Sequence, residues 1–319
     1  MKSGSKLERI LESGEFAVTA ELGPPKGPDL ELVAKKEGQL RDVCDAINIT
    51  DNQTAIVRMS SLATCALLCR DGLEPVMQMT CRDRNRLAIQ SDVYGAVAHG
   101  VRNLLCLSGD HQVFGDHPTA KNVFDLDSVQ LIQVVARMRD EGINAGGGEI
   151  AGEIPLFIGG AANPFADPFE MRIIRLAKKV AAGADFIQTQ TIFDMPRFKE
   201  WMKRVVDMGL HEKVHILAGV MPLRSAGAGR YINANVPGIS VPSHIIKRMS
   251  DAGKGKAARL EGRTICAEMI QEIRGIEGVH GVHIMAVEWE IAVKSVVRMA
   301  GLLPRPILDP VADKDTPEP

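Results

Sequence analysis

The chain has 319 residues, with 38 Lys and Arg against 40 Asp and Glu and a formal net charge of -2. That balance gives no electrostatic case for nucleic acid or an anionic membrane, and 4% aromatic residues argue against an aromatic-lined nucleic-acid surface. The longest apolar runs fall well short of the ~20 residues that span a bilayer. Residues 1–6 lead into a charged helix at 7–12 instead of a signal-peptide core, so the expectation is a cytoplasmic protein without membrane insertion.

Along the chain, eight short apolar stretches recur: Phe16–Pro25, Ala46–Thr50, Pro75–Thr80, Asn103–Asp110, Leu156–Gly160, Phe186–Gln190, His215–Val220 and Gly281–Val287. Each is followed by a helical pattern. Helices are expected over 29–44, with Leu30, Val33, Leu40 and Val43 facing the core, over 84–100, and over 127–142, with Val129, Ile132, Val135 and Met138 on one face. Nearly continuous apolar strands alternating with helices imply a parallel sheet covered on both faces. Eight such units close into a (β/α)8 TIM barrel, which typically takes ~250 residues. The expected organisation is one barrel over residues 1–305 and a C-terminal tail over 306–319, acidic and Pro-rich.

Two segments interrupt the alternation. The glycine-rich stretch 145–153 matches neither the dinucleotide fingerprint nor the P-loop and is read as a flexible linker. Residues 224–279 form a long excursion between strands seven and eight, with extra helices at 243–251 and 255–273, where barrels commonly cap the top face. The six cysteines lie scattered among apolar neighbours. Cys65 and Cys69 are four apart, but the second half of a zinc site is missing, so buried thiols and no metal are expected.

Barrel chemistry sits where the strands' C-terminal ends meet. Glu21, the only charge in the first strand, stands just before Pro24-Pro25. It reads either as the partner of a structural cation or as a general acid, which an apolar setting favours. Asp110 follows Ser108-Gly109 at the end of strand four, where a glycine permits close approach to a ligand. Arg172, Arg175 and Lys179 fall at i, i+3 and i+7, one basic stripe opposite Ile173, Ile174, Ala177 and Val180. Such a stripe is either a solvated face or an anion site.

Ala20-Glu21-Leu22-Gly23-Pro24-Pro25 resembles the strand-one E-F-x-P-P motif of the methylenetetrahydrofolate reductases, and Leu107-Ser108-Gly109-Asp110 resembles their L-R-G-D. Thr80-Cys81, 124–127, 179–184 and Thr189-Gln190-x-x-Phe193-Asp194 are similar to further family segments in the same order, from about residue 15 to 305. The resemblance implies a flavin-binding barrel, with FAD or FMN, that reduces 5,10-methylenetetrahydrofolate to 5-methyltetrahydrofolate. It implies that Glu21 protonates folate N10 as the ring opens, that Asp110 supports the cationic iminium, and that Gln190 bonds the pterin. The flavin would be held by Thr50, Gln78, Ser108, Gly109, Asp110, Asp125, Gly160 and Asn163, and its phosphates by Arg172, Arg175, Lys178 and Lys179.

The chain departs from the NADH-dependent bacterial members at four places. They carry His for Gln78, Arg for Ser108, Arg near Trp289, and a stacking Phe where Ser225-Ala226-Gly227 stands. In this it is similar to the acetogen-type reductases, which implies a small zinc- or cluster-binding partner subunit and electron-transfer proteins. The alternatives are a flavin-free folate- or pterin-binding methyl-transfer barrel and a scaffold subunit of an electron-transfer complex.

Overall fold

The computed structural model describes residues 1–236 and 238–308; residues 309–319 of the expected tail lie outside the described residues. The eight strands are β1 (Ala17–Leu22), β2 (Ala46–Ile49), β3 (Pro75–Thr80), β4 (Asn103–Leu107), β5 (Phe157–Ala162), β6 (Phe186–Thr191), β7 (His215–Val220) and β8 (Gly281–Ile284). They pair in sequence order, all parallel, and β8 pairs with β1 to close the barrel. The chain is a (β/α)8 TIM barrel.

The helices are α1 (Lys6–Glu12), α2 (Leu30–Leu40), α3 (Ser61–Arg70), α4 (Arg86–Ala98), α5 (Ser128–Asp140), α6 (Phe169–Ala181), α7 (Met195–Asp207), α8 (Ala226–Asn235), α9 (Ser243–Asp251), α10 (Lys256–Ile273) and α11 (Ile291–Met299). Several begin on polar caps that satisfy orphan amides. Asp29 accepts from Leu32 N at 2.9 Å, and Asp127 forms a reciprocal capping box with Gln130. Leu30, expected in the core, is exposed because it is the first residue of α2, while Val33, Leu40 and Val43 are buried. The excursion holds a third helix, α8, that its Gly-Ala composition concealed; Ser225 caps it by accepting from Ala228 N at 3.1 Å. The segment expected as a flexible linker instead closes a turn. Asn144 Oδ1 accepts from Gly146 N and Gly148 N, and Ile143 bridges Glu149.

Side-chain alternation stacks the barrel interior in layers. At the N-terminal end Ala17, Ala46, Val76, Leu105, Phe157, Phe186 and Leu217 form an apolar layer, sealed from below by Leu7, Ile10 and Leu11 of α1. Phe157 and Phe186 stack at 5.2 Å beneath Gly159, where a Cβ would lie 2.2 Å from the Phe186 ring. Above that layer comes a polar one, built from Thr19, Asn48, Gln78, Gln188 and His283, all buried.

Two buried aspartates anchor the bottom rim. Asp45 accepts from Val18 N at 2.7 Å and pairs with Arg305, whose guanidinium also donates to Phe16 O and Leu302 O. Asp185 accepts from Ile158 N and pairs with Arg139 and Lys2. Removing one partner of a buried pair leaves the other charge uncompensated, at a cost of about 3–5 kcal/mol. Asp45→Ala is therefore expected to lower the urea midpoint of unfolding by that equivalent, measured by circular dichroism. A midpoint unchanged from wild type would show that Arg305 does not depend on Asp45.

Candidate active site

At the C-terminal end of the strands a cavity of about 430 Å³ opens, within the usual range for small-molecule sites. Of the residues singled out in the sequence, Glu21, Gln78, Ser108, Gly109, Asp110, Asn163, Arg172, Arg175, Lys179 and Gln190 line it. Thr50, Asp125, Gly160 and Lys178 are not among its lining. Asp125 is bound to Arg86 through both carboxylate oxygens. Thr50 is buried, and among the described residues its Oγ1 has no hydrogen-bond partner. Asp51, Asn52, Gln53, Thr80, Arg82, Gln188, Thr189, His283 and Met285 also line the cavity and were not anticipated.

Glu21 closes a chain of hydrogen bonds that begins in the polar layer. Gln188 and Asn48 exchange amide hydrogen bonds at 2.7 and 3.1 Å, and Gln188 Nε2 donates to Thr19 Oγ1 at 3.2 Å. Thr19 Oγ1 lies 2.9 Å from His283 Nδ1, and His283 Nε2 lies 3.4 Å from Glu21 Oε1. The Thr19 hydroxyl accepts from Gln188 and has two acceptors for its own proton, His283 Nδ1 at 2.9 Å and Val282 O at 3.4 Å, and the shorter contact assigns that proton to Nδ1. The tautomer assigned from this network carries its hydrogen on Nε2, facing Glu21. Gln78 Nε2 donates to the same carboxylate oxygen at 3.5 Å.

The β4 turn brings Asp110 to the mouth. Gly109 has φ +88°, a conformation that favours glycine, and a Cβ there would lie 3.0 Å from Thr80 Cβ. Gln190 continues the inward alternation of Phe186 and Gln188 and lines the cavity, and the pairing of β6 with β7 shifts register between Gln188 and Thr191.

The opposite side is cationic. Lys179 lies on the inward line Ile173, Leu176, Lys179 of α6, whereas Ile174, expected on the buried face, is about 100° further round and exposed. The Lys179 stem runs beside Gly160, where a Cβ would lie 3.3 Å from its Cδ, and its ammonium donates to Ala161 O. Gly160 thus admits Lys179 without lining the cavity itself. Burial, and secondarily the Arg175 charge, push the Lys179 ammonium down to about 8. Arg172 braces the loop after β5 through Ala166 O and Asp167 O. From the excursion, Gly238 reaches this rim, where a Cβ would lie 2.4 Å from Asn163 Nδ2.

The buried thiols are not poised as nucleophiles: burial pushes Cys81 up to about 12 and Cys65, Cys44, Cys106 and Cys266 upward as well. Among the described residues no group of three or more His, Cys, Asp or Glu could hold a metal ion, and no helix is long and apolar enough to cross a membrane.

The model of the methylenetetrahydrofolate reductase family matches residues 6–301. The chain belongs to that family. A protein of Caenorhabditis elegans named "Probable methylenetetrahydrofolate reductase (NADPH)" is 23% identical over 306 residues, 93% of this chain and 44% of the relative. The 5,10-methylenetetrahydrofolate reductase of Salmonella typhimurium is 23% identical over 203 residues, covering 63% of this chain and 62% of the relative. The chain spans less than half the length of the first curated relatives it matches. A solved protein from Clostridium thermocellum that binds two copies of 5-methyl-5,6,7,8-tetrahydrofolic acid shares the fold, with a TM-score of 0.61 at 13% identity over 94% of this chain and 99% of that one.

The cationic end carries its own test. As pH rises through about 8, Lys179 loses its proton, so anion binding present at neutral pH weakens above it. Sulfate, which does not titrate in this range, should bind roughly tenfold more weakly at pH 9.5 than at pH 7, the loss of one charge-assisted hydrogen bond. In Lys179→Met the affinity should be weak and flat across the same window. Calorimetric titration at both pH values decides; equal wild-type affinities would mean that Lys179 does not hold the anion.

Proposed function

We propose that this family member reduces 5,10-methylenetetrahydrofolate to 5-methyltetrahydrofolate in the cavity above the polar layer, using a flavin, FAD or FMN. The observation that carries the reading is Glu21: a carboxylate at the cavity floor, hydrogen-bonded from below by His283 and from the side by Gln78. The donor set also fits a flavin. Arg172, Arg175 and Lys179 suit its phosphate, while Gln78, Ser108 and Asn163 offer polar groups for the rest. Bound there, flavin would supply the hydride.

The chain's own residues supply the acid and the charge. Protonated Glu21 gives its proton to N10 as the bond from N10 to the bridging carbon breaks, which leaves a cationic iminium at N5. The resulting Glu21 carboxylate accepts from His283 Nε2, so the hydrogen-bonded chain back to Thr19 and Gln188 stabilises it in place. The Asp110 carboxylate at the mouth supports the iminium by opposite charge, and Gln190 holds the pterin. Asn48 and Gln188 exchange hydrogen bonds beneath the site, so the acid rests on a network of side chains from several strands.

The β7 loop supports one reading of the electron source. Ser225 and Ala226 there open α8, and neither they nor Gly227 offers an aromatic face on which a nicotinamide could stack. The nearby Trp289 ring is already covered by the Arg224 guanidinium at 5.5 Å. The reading favours a cytoplasmic acetogen-type reductase fed through a small zinc- or cluster-binding partner subunit and electron-transfer proteins.

Glu21→Gln is expected to retain flavin but to lose at least ~100-fold in methylenetetrahydrofolate reduction with an artificial donor, since an amide has no proton to give. Activity within a few-fold of wild type would remove Glu21 as the acid. Stopped-flow mixing of the oxidised holoprotein alone with NADH should bleach the flavin band slowly and without saturation. Rapid, saturable bleaching would overturn the partner-fed reading.

A further inference from the structure

The loops that follow β2 and β4 are fastened to each other above the end of β3. The Asp110 carboxylate accepts from Thr54 N at 3.2 Å, and the Asp116 carboxylate accepts from Val57 N at 3.2 and 3.3 Å. Between these bonds the two backbones touch. A Cβ built on Gly115 would lie 1.8 Å from Ala55 O, so no other residue fits at 115 without parting the loops. The β2 loop is held in an unfavourable shape: Asn52, Thr54 and Ala55 have φ of +46°, +57° and +55°. Non-glycine residues keep such angles only where their surroundings over-determine them.

Arg82, two residues past β3 and nearly fully buried, lies under both loops. Its Nη1 donates to Asp110 O at 3.0 Å and its Nη2 to Asn52 O at 3.3 Å, one carbonyl on each loop. Its Nε and Nη2 also donate to the Asp83 carboxylate at 2.8 and 2.6 Å. The bond to Asp83 holds the guanidinium in its charged form, and Arg82 holds the Asp83 carboxyl below its usual range against burial. The turn beside it leaves no slack, since a Cβ on Gly109 would lie 3.1 Å from Arg82 Cβ. A planar fork of N–H groups can serve two carbonyls and a carboxylate at once, and an ammonium on a flexible stem cannot reproduce that geometry.

We propose that Arg82 is the positioning residue of this site: it pins the β2 and β4 loops into one unit and thereby sets the Asp110 carboxylate over the cavity. The proposal rests on the reading of Asp110 as the group that supports the substrate cation. Arg82 lies at the cavity wall, and four of its five N–H donors go to the two loops and to Asp83, so the proposed effect passes through Asp110.

The test is a double-mutant cycle with the holoprotein in the dye-linked folate assay, joined to hydrogen exchange. Arg82→Met is expected to lower kcat by up to about 100-fold, the scale of a misplacement near 1 Å, with a smaller change in KM. Arg82→Lys should not rescue it. Added to Asp110→Asn, Arg82→Met should cost less than about threefold more, because the group it positions is already gone. Independent, multiplicative losses would overturn the proposal and leave Arg82 a general structural residue. Deuterium uptake should rise together over residues 52–57 and 110–116 in Arg82→Met; loosening of one loop alone, or of neither, would also overturn it. Gly115→Ala drives the same loops apart from the other side and should reproduce both effects if the Arg82 variants fold poorly. Wild-type turnover in Asp110→Asn would instead remove the role of Asp110, while concerted exchange of the two loops would still support Arg82 as their pin.

Discussion

Polar groups inside a closed barrel lie away from bulk water, and those at mid-height in this one find their partners across the lumen. The rest of this site depends on how that constraint is met. Thr19, Asn48, Gln188 and His283 come from four strands, and their hydrogen bonds form one connected network, from the reciprocal Asn48–Gln188 pair through Thr19 to His283, whose Nε2 faces Glu21. The bottom layer of alanine, leucine and phenylalanine side chains, with α1 beneath it, makes the arrangement possible by keeping solvent out of the lower barrel. Glu21 can then face the cavity with its orientation and hydrogen-bonding already determined from below.

The cavity is divided by charge as well as by height. Glu21 and Asp110 bring carboxylates to one side, while Arg172, Arg175 and Lys179 bring cations to the other. The Lys179 stem passes close beside Gly160, where a Cβ would crowd its Cδ at 3.3 Å. Its lowered pKa is the consequence of that burial, and an anion seated there would offset it. A ligand with an anionic end and a ring system that becomes cationic during reaction suits both sides. Above the acidic side, the joined β2 and β4 loops hold Asp110, and the Lys36 and Arg58 cations tie Glu288 of the β8 loop back to the carbonyls of Gly23 and Pro24, just after Glu21. The mouth is therefore built from cross-braced loops that each follow a different strand.

Much of this was legible in the sequence because strands buried on both faces are written as apolar runs, and a charge inside one is conspicuous. Glu21 and Asp110 stood out for that reason, and the α6 cations stood out by spacing. The polar layer did not, although the signal was there. Thr19, Asn48 and His283 are each the one neutral polar or weakly basic residue at an inward position of its strand, Gln188 shares β6 with Gln190, and only the closed barrel brings the four together. Arg82 was hidden because it follows the strand in a run of charged residues, Arg82-Asp83-Arg84, that reads as an ordinary exposed turn. The helix α8 was concealed by Ala-Gly-Ala-Gly, whose weak propensity is overridden by a serine cap and by packing against α9. Ile174 was misplaced by a reading of the helix face that centred it one residue away from the line that is buried.

The central claim is that this cavity holds a flavin and uses it to reduce the methylene group of a folate. A single-turnover experiment tests it most directly: the purified holoprotein is reduced photochemically, mixed anaerobically with 5,10-methylenetetrahydrofolate, and followed by the return of the oxidised flavin band and by quantification of 5-methyltetrahydrofolate. The account predicts reoxidation with close to one 5-methyltetrahydrofolate formed per flavin. A protein that binds no flavin, or a reduced flavin that persists in the presence of the folate without product, would contradict it.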